Sequence, residues 1–442
     1  MIEIFNIILQ FLTFVILFSY PFCLYKNKVF LLSDSFLING IYLKISINIL
    51  IHINLLLILS FLDIKTEIYF YLIIFLSILS NIIFYFNEKK FEPDFNDLLI
   101  FYIFIIICLG FFFKTAIDLK LEWDGLNHWF PKALNFYNEI GIQNLENLGF
   151  SEYPHLGTYI WAFFWKNSYL EYEYFGRLFY IFFYVTSLFS IVENNFNRNL
   201  LLKVIILFFL SILTFDEFLF GGYQGYLIFS ILIIFSRLIY DEKFNYNVRE
   251  KSFLFYLFII YIFHSLIWFK DEGIFYYLFT VISFICFTNI NKKYLLISIS
   301  FLFVILQFLL QKYLIGNYGF QAEIIHDNLL DNFKPQIFFE KFILISKYIF
   351  VSIIKYKLWI INLFSYLILF LFYRKDFLEL KLWTYILLIN ILFIYAVYFH
   401  TPYDLEFLLK VTLDRIMFHT SGFYLIFTIL LIRKTILLKD NL

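Results

Sequence analysis

Apolar runs of about 17–25 residues follow one another along almost the whole chain, separated by short polar connections. Each is near the length a helix needs to cross roughly 30 Å of hydrocarbon. About thirteen such runs lie near residues 4–24, 40–62, 67–86, 98–113, 174–193, 201–216, 222–240, 253–269, 273–289, 294–311, 358–373, 383–399 and 418–436. The pattern predicts an all-α polytopic membrane protein with about 13 transmembrane helices. Residues 337–357 follow a different pattern, because Lys341, Lys347, Lys355 and Lys357 punctuate an otherwise apolar run. That stretch predicts an amphipathic helix lying in the membrane interface. The first run, Ile4 to Tyr25, lacks a basic leader and a small-residue cleavage site and reads as a retained span.

One stretch interrupts the alternation. Residues 114–173 carry acids, lysines, tryptophans, two histidines and two prolines between long apolar runs. About sixty semi-polar residues between spans predict a folded, partly helical extramembrane element, since lipid tolerates no irregular backbone. The chain then divides into N-terminal spans (1–113), this loop (114–173), central spans (174–311), an outer loop with the interfacial helix (312–357) and C-terminal spans (358–442). All belong to one integral-membrane domain.

Charge sets the orientation. With the N-terminus outside and the spans alternating, the inner connections hold Lys26, Lys28, Lys89, Lys90, Arg198, Lys243, Arg249, Lys251, Lys292, Lys293, Arg374, Lys375 and Lys381. The opposite connections are less basic for their length, which places the long loop outside the cytoplasm. Asp216-Glu217, Lys270-Asp271-Glu272 and the segments 312–336 and 400–415 fall on the same side. Polar clusters far apart in sequence thus converge on one membrane face. A transporter more often places its ionisable groups near mid-membrane and shows a helix repeat. Here Lys44 is the main charge within a span, and no repeat is evident.

Composition agrees with this class: 62% of the 442 residues are hydrophobic and 15% charged, against roughly 25% charged in soluble domains. The zero net charge gives no reason to expect a nucleic-acid partner. Cys23, Cys108 and Cys286 sit far apart in apolar runs, without zinc or disulfide spacing.

The densest chemistry is Glu122-Trp123-Asp124-Gly125, followed by His128-Trp129 and Lys132. In an extended segment, Glu122 and Asp124 place two carboxylates on one face. If a helix starts at Asp124, then Asp124, Asn127, His128 and Lys132 share a face. Such carboxylates can act as a general base, orient an acceptor or bind a divalent ion; the plain alternative is that Asp124 caps the helix and the tryptophans anchor it. Tyr153-Pro154-His155 forms either the rigid wall of a sugar pocket or a rigid turn back to the membrane. His52 and His264 lie within spans and read as packing residues, and His326, His400 and His419 show no metal spacing.

The pattern W-D-G-x-x-H-W-x-x-K-A, followed by Tyr153-Pro154-His155-Leu156, resembles the first large outer loop of the glycosyltransferase C superfamily. The likeness is to the bacterial branch that includes protein mannosyltransferase and aminoarabinose transferase-type enzymes. Lys270-Asp271-Glu272-Gly273 resembles a K-N-E-G turn of such proteins, and Thr401-Pro402-Tyr403-Asp404-Leu405 with Thr412 and Arg415 resembles their late outer segment. Gly222-Tyr223-Gln224-Gly225 stands where a G-Y-A-D is usual, so an acid of the pattern is missing. The resemblance spans roughly residues 95–435 and implies a glycosyltransferase C-like fold.

It also implies an inverting transfer of sugar from a polyprenyl-phosphate donor to a lipid, glycan or protein acceptor at the outer face of the cytoplasmic membrane. Glu122-Trp123-Asp124 matches the essential acidic motif, with Asp124 acting on the acceptor hydroxyl. Members of the superfamily differ in metal use, so a divalent ion on Glu122 and Asp124 stays open. Departure of the lipid phosphate calls for cations; Arg415, Lys270, His128, His155 and Arg177 are candidates, with Lys270 alternatively a snorkelling residue and Arg415 alternatively a local ion-pair partner. Trp129, Lys132, Tyr153, Glu272 and Asp404 complete the expected substrate contacts. Two further functions compete: a polysaccharide polymerase or ligase with a lipid pyrophosphate donor, and a transporter or flippase without chemistry.

Overall fold

The computed structural model describes residues 2–21, 40–62, 65–87, 95–151, 153–193, 200–215, 219–244, 253–288, 292–315, 335–374, 377, 380–399, 401 and 404–439. Among these residues every regular element is helical. The helices are α1 (Ile2–Leu17), α2 (Ile41–Leu62), α3 (Thr66–Asn87), α4 (Phe95–Asp118), α5 (Phe130–Tyr137), α6 (Leu156–Lys166), α7 (Tyr174–Val192) and α8 (Leu200–Leu213). They continue with α9 (Gly225–Phe244), α10 (Phe253–Trp268), α11 (Glu272–Cys286), α12 (Lys293–Ile315), α13 (Pro335–Lys355), α14 (Lys357–Phe372), α15 (Lys381–Phe399) and α16 (Leu405–Ile436).

Among the described residues, seven helices are long and apolar enough to cross a membrane: α2, α3, α4, α7, α12, α15 and α16. The remaining six expected runs coincide with apolar helices of 10–17 residues. The chain is therefore an α-helical membrane protein in architecture, with seven candidate spans among the described residues. The first helix ends at Leu17, short of the expected boundary, and Pro21 follows, which has no N–H to continue a helix. At the other end α4 runs on to Asp118, so the polar element begins a turn later than its composition suggests.

Helix α7 is the hub, buried along its whole length and packed by α2, α4, α6, α8 and α9. Its hydroxyls would be costly there without partners. Thr186, Ser187 and Ser190 return theirs to carbonyls of their own helix, while Tyr180 donates to the Gly157 carbonyl at 2.8 Å. The outer helices show the reverse pattern. Ile68, Tyr71, Leu72 and Phe75 on α3, and Phe301, Leu302, Ile305 and Leu309 on α12, are exposed. In water such stripes would be an aggregation hazard; against lipid they are an ordinary boundary.

The lysine-punctuated run forms α13, and its polar positions grip its neighbours. Lys341 donates to the Phe399 carbonyl at 3.1 Å, Tyr348 to Glu406 at 2.9 Å, Ser352 to Asp414 at 2.6 Å, and Lys355 pairs with Asp414. Asp414 is thereby committed to α13, and the next residue, Arg415, has a different partner.

Candidate functional site

The loop is organised on a buried cation. Arg177, 1% exposed in the first turn of α7, holds the Glu173 carboxylate through Nε at 2.8 Å and Nη2 at 3.0 Å. Its Nη1 donates to the Lys120 carbonyl at 3.0 Å and to that of Phe220. Arg177 thus ties the start of the polar loop to the 219–224 turn, with its guanidinium engaged by Glu173 and two carbonyls.

On this platform Glu122 N donates to the Gly221 carbonyl at 3.1 Å. The next turn comes so close that a Cβ on Gly125 would lie 2.1 Å from Gly221 O. Gly222 completes the turn at φ +82°, a conformation that favours glycine. Gly125→Ala is expected to force the two backbones apart and cost about 1–3 kcal/mol, the usual range for overpacking. A thermal melt of the detergent-solubilised variant checks this; an unchanged midpoint would show that the approach is not constraining.

After Asp124 the chain makes a π turn, Gly125–Trp129, closed by the Phe130 N–H on the Gly125 carbonyl. Pro131 has no N–H for the bond an α-helix would make to residue 127, which removes the competing geometry. Asp124 is not a helix cap: its φ and ψ are helical and its side chain makes no capping bond. Its carboxylate pairs with the guanidinium of Arg415, 291 residues away. Arg415 follows another π turn, Leu409–Leu413. Its guanidinium lies 5.7 Å from the centre of the Tyr223 ring. Burial raises the Tyr223 phenol above its ordinary pKa, and the Asp124 carboxylate adds to this.

Lys270, 7% exposed in the connection before α11, is within electrostatic reach of both partners. Burial lowers its ammonium below the usual lysine value; Glu272 opposes that shift, Arg415 adds to it and Asp124 opposes it. Asp124, Arg415, Lys270, Glu272 and Tyr223 therefore form one electrostatic cluster drawn from four separate parts of the chain. Beside it lies a small recess of about 20 Å³, room for a water-sized group, lined by Arg415 and the rings of Tyr223, Tyr226, Tyr356, Phe418 and His419.

Glu122 lies at the edge of this cluster: its carboxylate is within electrostatic reach of Tyr223 and pairs with Lys120 at 2.7 Å. Other expected site residues lie elsewhere. The His128 ring stacks on Phe150 with centroids 3.6 Å apart and meets Trp123 at 5.1 Å, inside the loop's own aromatic cluster. Trp129 is buried there against Tyr153. Lys132 is wholly buried and donates to the Tyr153 carbonyl at 2.7 Å, so it braces the Tyr153-Pro154 bend. Asp404 accepts from Phe407 N at 2.7 Å and caps the first turn of α16. Thr412 pairs with the Tyr398 hydroxyl at 2.7 Å.

His155 is fully buried. Ser60 Oγ donates to Leu57 O at 2.7 Å, so the 2.8 Å contact to His155 Nε2 has the imidazole N–H donating to Ser60. Burial pushes this histidine down to about 3, with Lys132 adding to the shift. A histidine depressed in the folded state stabilises the fold fully above its unfolded pKa, roughly 6.5. That contribution is lost as pH falls from there toward about 3. The thermal midpoint of the wild type is expected to drop between pH 7 and pH 5 more than that of His155→Gln; equal slopes would refute the assignment.

The acid pair does not fit a protein-held divalent ion. Each carboxylate is taken by a cation, and among the described residues no three His, Cys, Asp or Glu side chains come together. The segment 216–218, His326, His400 and Pro402-Tyr403 lie outside the described residues.

Sequence reading missed the recess aromatics and the Gly125–Gly221 contact. The glycine pair before Tyr223 was the available signal for that contact. No protein-family model, curated protein or solved structure matches the chain.

Proposed function

We propose that this chain is an inverting membrane glycosyltransferase of the C type. It takes a sugar from a polyprenyl-phosphate donor at the outer face of the cytoplasmic membrane and passes it to a lipid, glycan or protein acceptor. The observation that carries this reading is the pairing of Asp124 with Arg415, with Lys270 in reach, beside an aromatic recess. A carboxylate and two cations held together from distant parts of the chain are what such a transfer needs.

Asp124 takes the proton of the acceptor hydroxyl as its oxygen attacks C1 of the sugar. The new O–C1 bond forms opposite the phosphate. The C1–O bond to phosphate breaks, and the polyprenyl phosphate leaves with the electron pair. The negative charge that develops there is met by Arg415, which can form two parallel hydrogen bonds, and by Lys270. Tyr356 and Phe418, both partly exposed beside Arg415, offer apolar faces to the first isoprene unit. The basic residues of the opposite connections favour an outward-facing site.

The test is transfer of label from an undecaprenyl-phosphate-linked sugar into a membrane extract by the purified protein. Label transfer with release of undecaprenyl phosphate is expected, and Arg415→Gln should lower it by about 100-fold. Transfer only from a pyrophosphate-linked donor would favour a polymerase or ligase. Lipid movement across vesicles without transfer would favour a flippase. Either result overturns the proposal.

A further inference from the structure

In this structure the Asp124 carboxylate sits on Arg415, the cation that the donor phosphate requires. We infer that Asp124 is a self-inhibitory occupant of the phosphate seat. The lipid phosphate displaces it, and that displacement is what frees the base for the acceptor. The inference rests on the proposed reading of the site and adds an order of events: donor first, acceptor second.

Three features carry it. Asp124 and Arg415 are both mostly sheltered, with side chains 18% and 19% exposed, so solvent screens the pair only partly. The recess beside Arg415 is narrow, and the centre of the Tyr223 ring lies 5.7 Å from the guanidinium. A phosphate arriving there meets a carboxylate of like charge and is opposed by it unless the carboxylate moves. Leaving Arg415 asks only a side-chain rotation of Asp124, since the backbone on either side of it is pinned to Gly221. Once the phosphate takes Arg415, the Asp124 carboxylate loses the partner that holds it and is free to face an acceptor. An acceptor hydroxyl reaching the site before the donor finds that carboxylate engaged.

Competition makes an unusual prediction for a residue also assigned to catalysis: removing its charge should tighten binding of the lipid phosphate. Binding of undecaprenyl phosphate to the full chain in detergent is measured for wild type, Asp124→Asn, Asp124→Ser, Arg415→Gln and the Asp124→Asn/Arg415→Gln pair, each checked by gel filtration. Both Asp124 variants are expected to bind about tenfold more tightly than wild type. Arg415→Gln should bind more weakly, and the double variant should show no gain over it. Inorganic phosphate should bind far more weakly than the lipid in every background.

Equal or weaker binding by both Asp124 variants, with wild type binding normally, overturns the competition and leaves the proposed function standing. No binding of undecaprenyl phosphate by any form, or binding of inorganic phosphate as tight as the lipid, removes the lipid-phosphate donor and the inference with it.

Discussion

Asp124→Asn is expected to lower kcat/KM for sugar transfer by on the order of 10³-fold, within the range for loss of a general base. The loss should fall on kcat, because the amide keeps the size of the carboxylate and still faces Arg415 but cannot take a proton. Glu122→Gln serves as the comparison. Its carboxylate is held by the exposed Lys120, so a change of less than about tenfold is expected, as for a surface pair. Transfer unaffected by Asp124→Asn would sink the role of that residue. Transfer unaffected by changing Glu122 and Asp124 together would sink the loop as the site.

Arg177→Met should be the most destabilising single change, at about 3–5 kcal/mol, the range for removing one partner of a buried pair. It leaves Glu173 without its bidentate partner and strips a donor from the Lys120 and Phe220 carbonyls. Those carbonyls belong to the two segments that meet at Gly125 and Gly221. The variant should therefore lose thermal stability and activity together. Arg177→Lys should recover only part of either, since an ammonium cannot span the same acceptors. A wild-type melting midpoint for Arg177→Met would show that the loop is held by other means.

The helices were legible because the length of an apolar run is a direct consequence of what lipid demands. All thirteen expected runs coincide with apolar helices, though six are shorter than a full crossing. The polar loop was legible for the same reason. The uses of its side chains were not, because they depend on tertiary burial. Lys132 and His155 look in sequence like any other candidates for an anion site, yet one braces a carbonyl and the other lies neutral against Ser60. Asp124 and Arg415 could be picked out by chemical type. That they contact each other directly could not, since 291 residues separate them. The recess aromatics were invisible for a compositional reason: among 66 phenylalanines and 35 tyrosines, no single ring stands out.

Both members of the ion pair adjoin π turns, Gly125–Trp129 and Leu409–Leu413. Such a turn holds one residue more than an α turn, which advances the screw of the helix by about 100°. In α16 the part before the turn is clamped by α13, while the part after it faces α9. The extra residue lets the segments before and after it keep different rotational phases: Glu406, before the turn, meets Tyr348 of α13, and Phe418, after it, stacks on Phe229 of α9. Helical phase, as much as residue identity, is then what specifies this site. Two relatives could share every side chain named here and differ in activity through the insertion or loss of one residue in this turn.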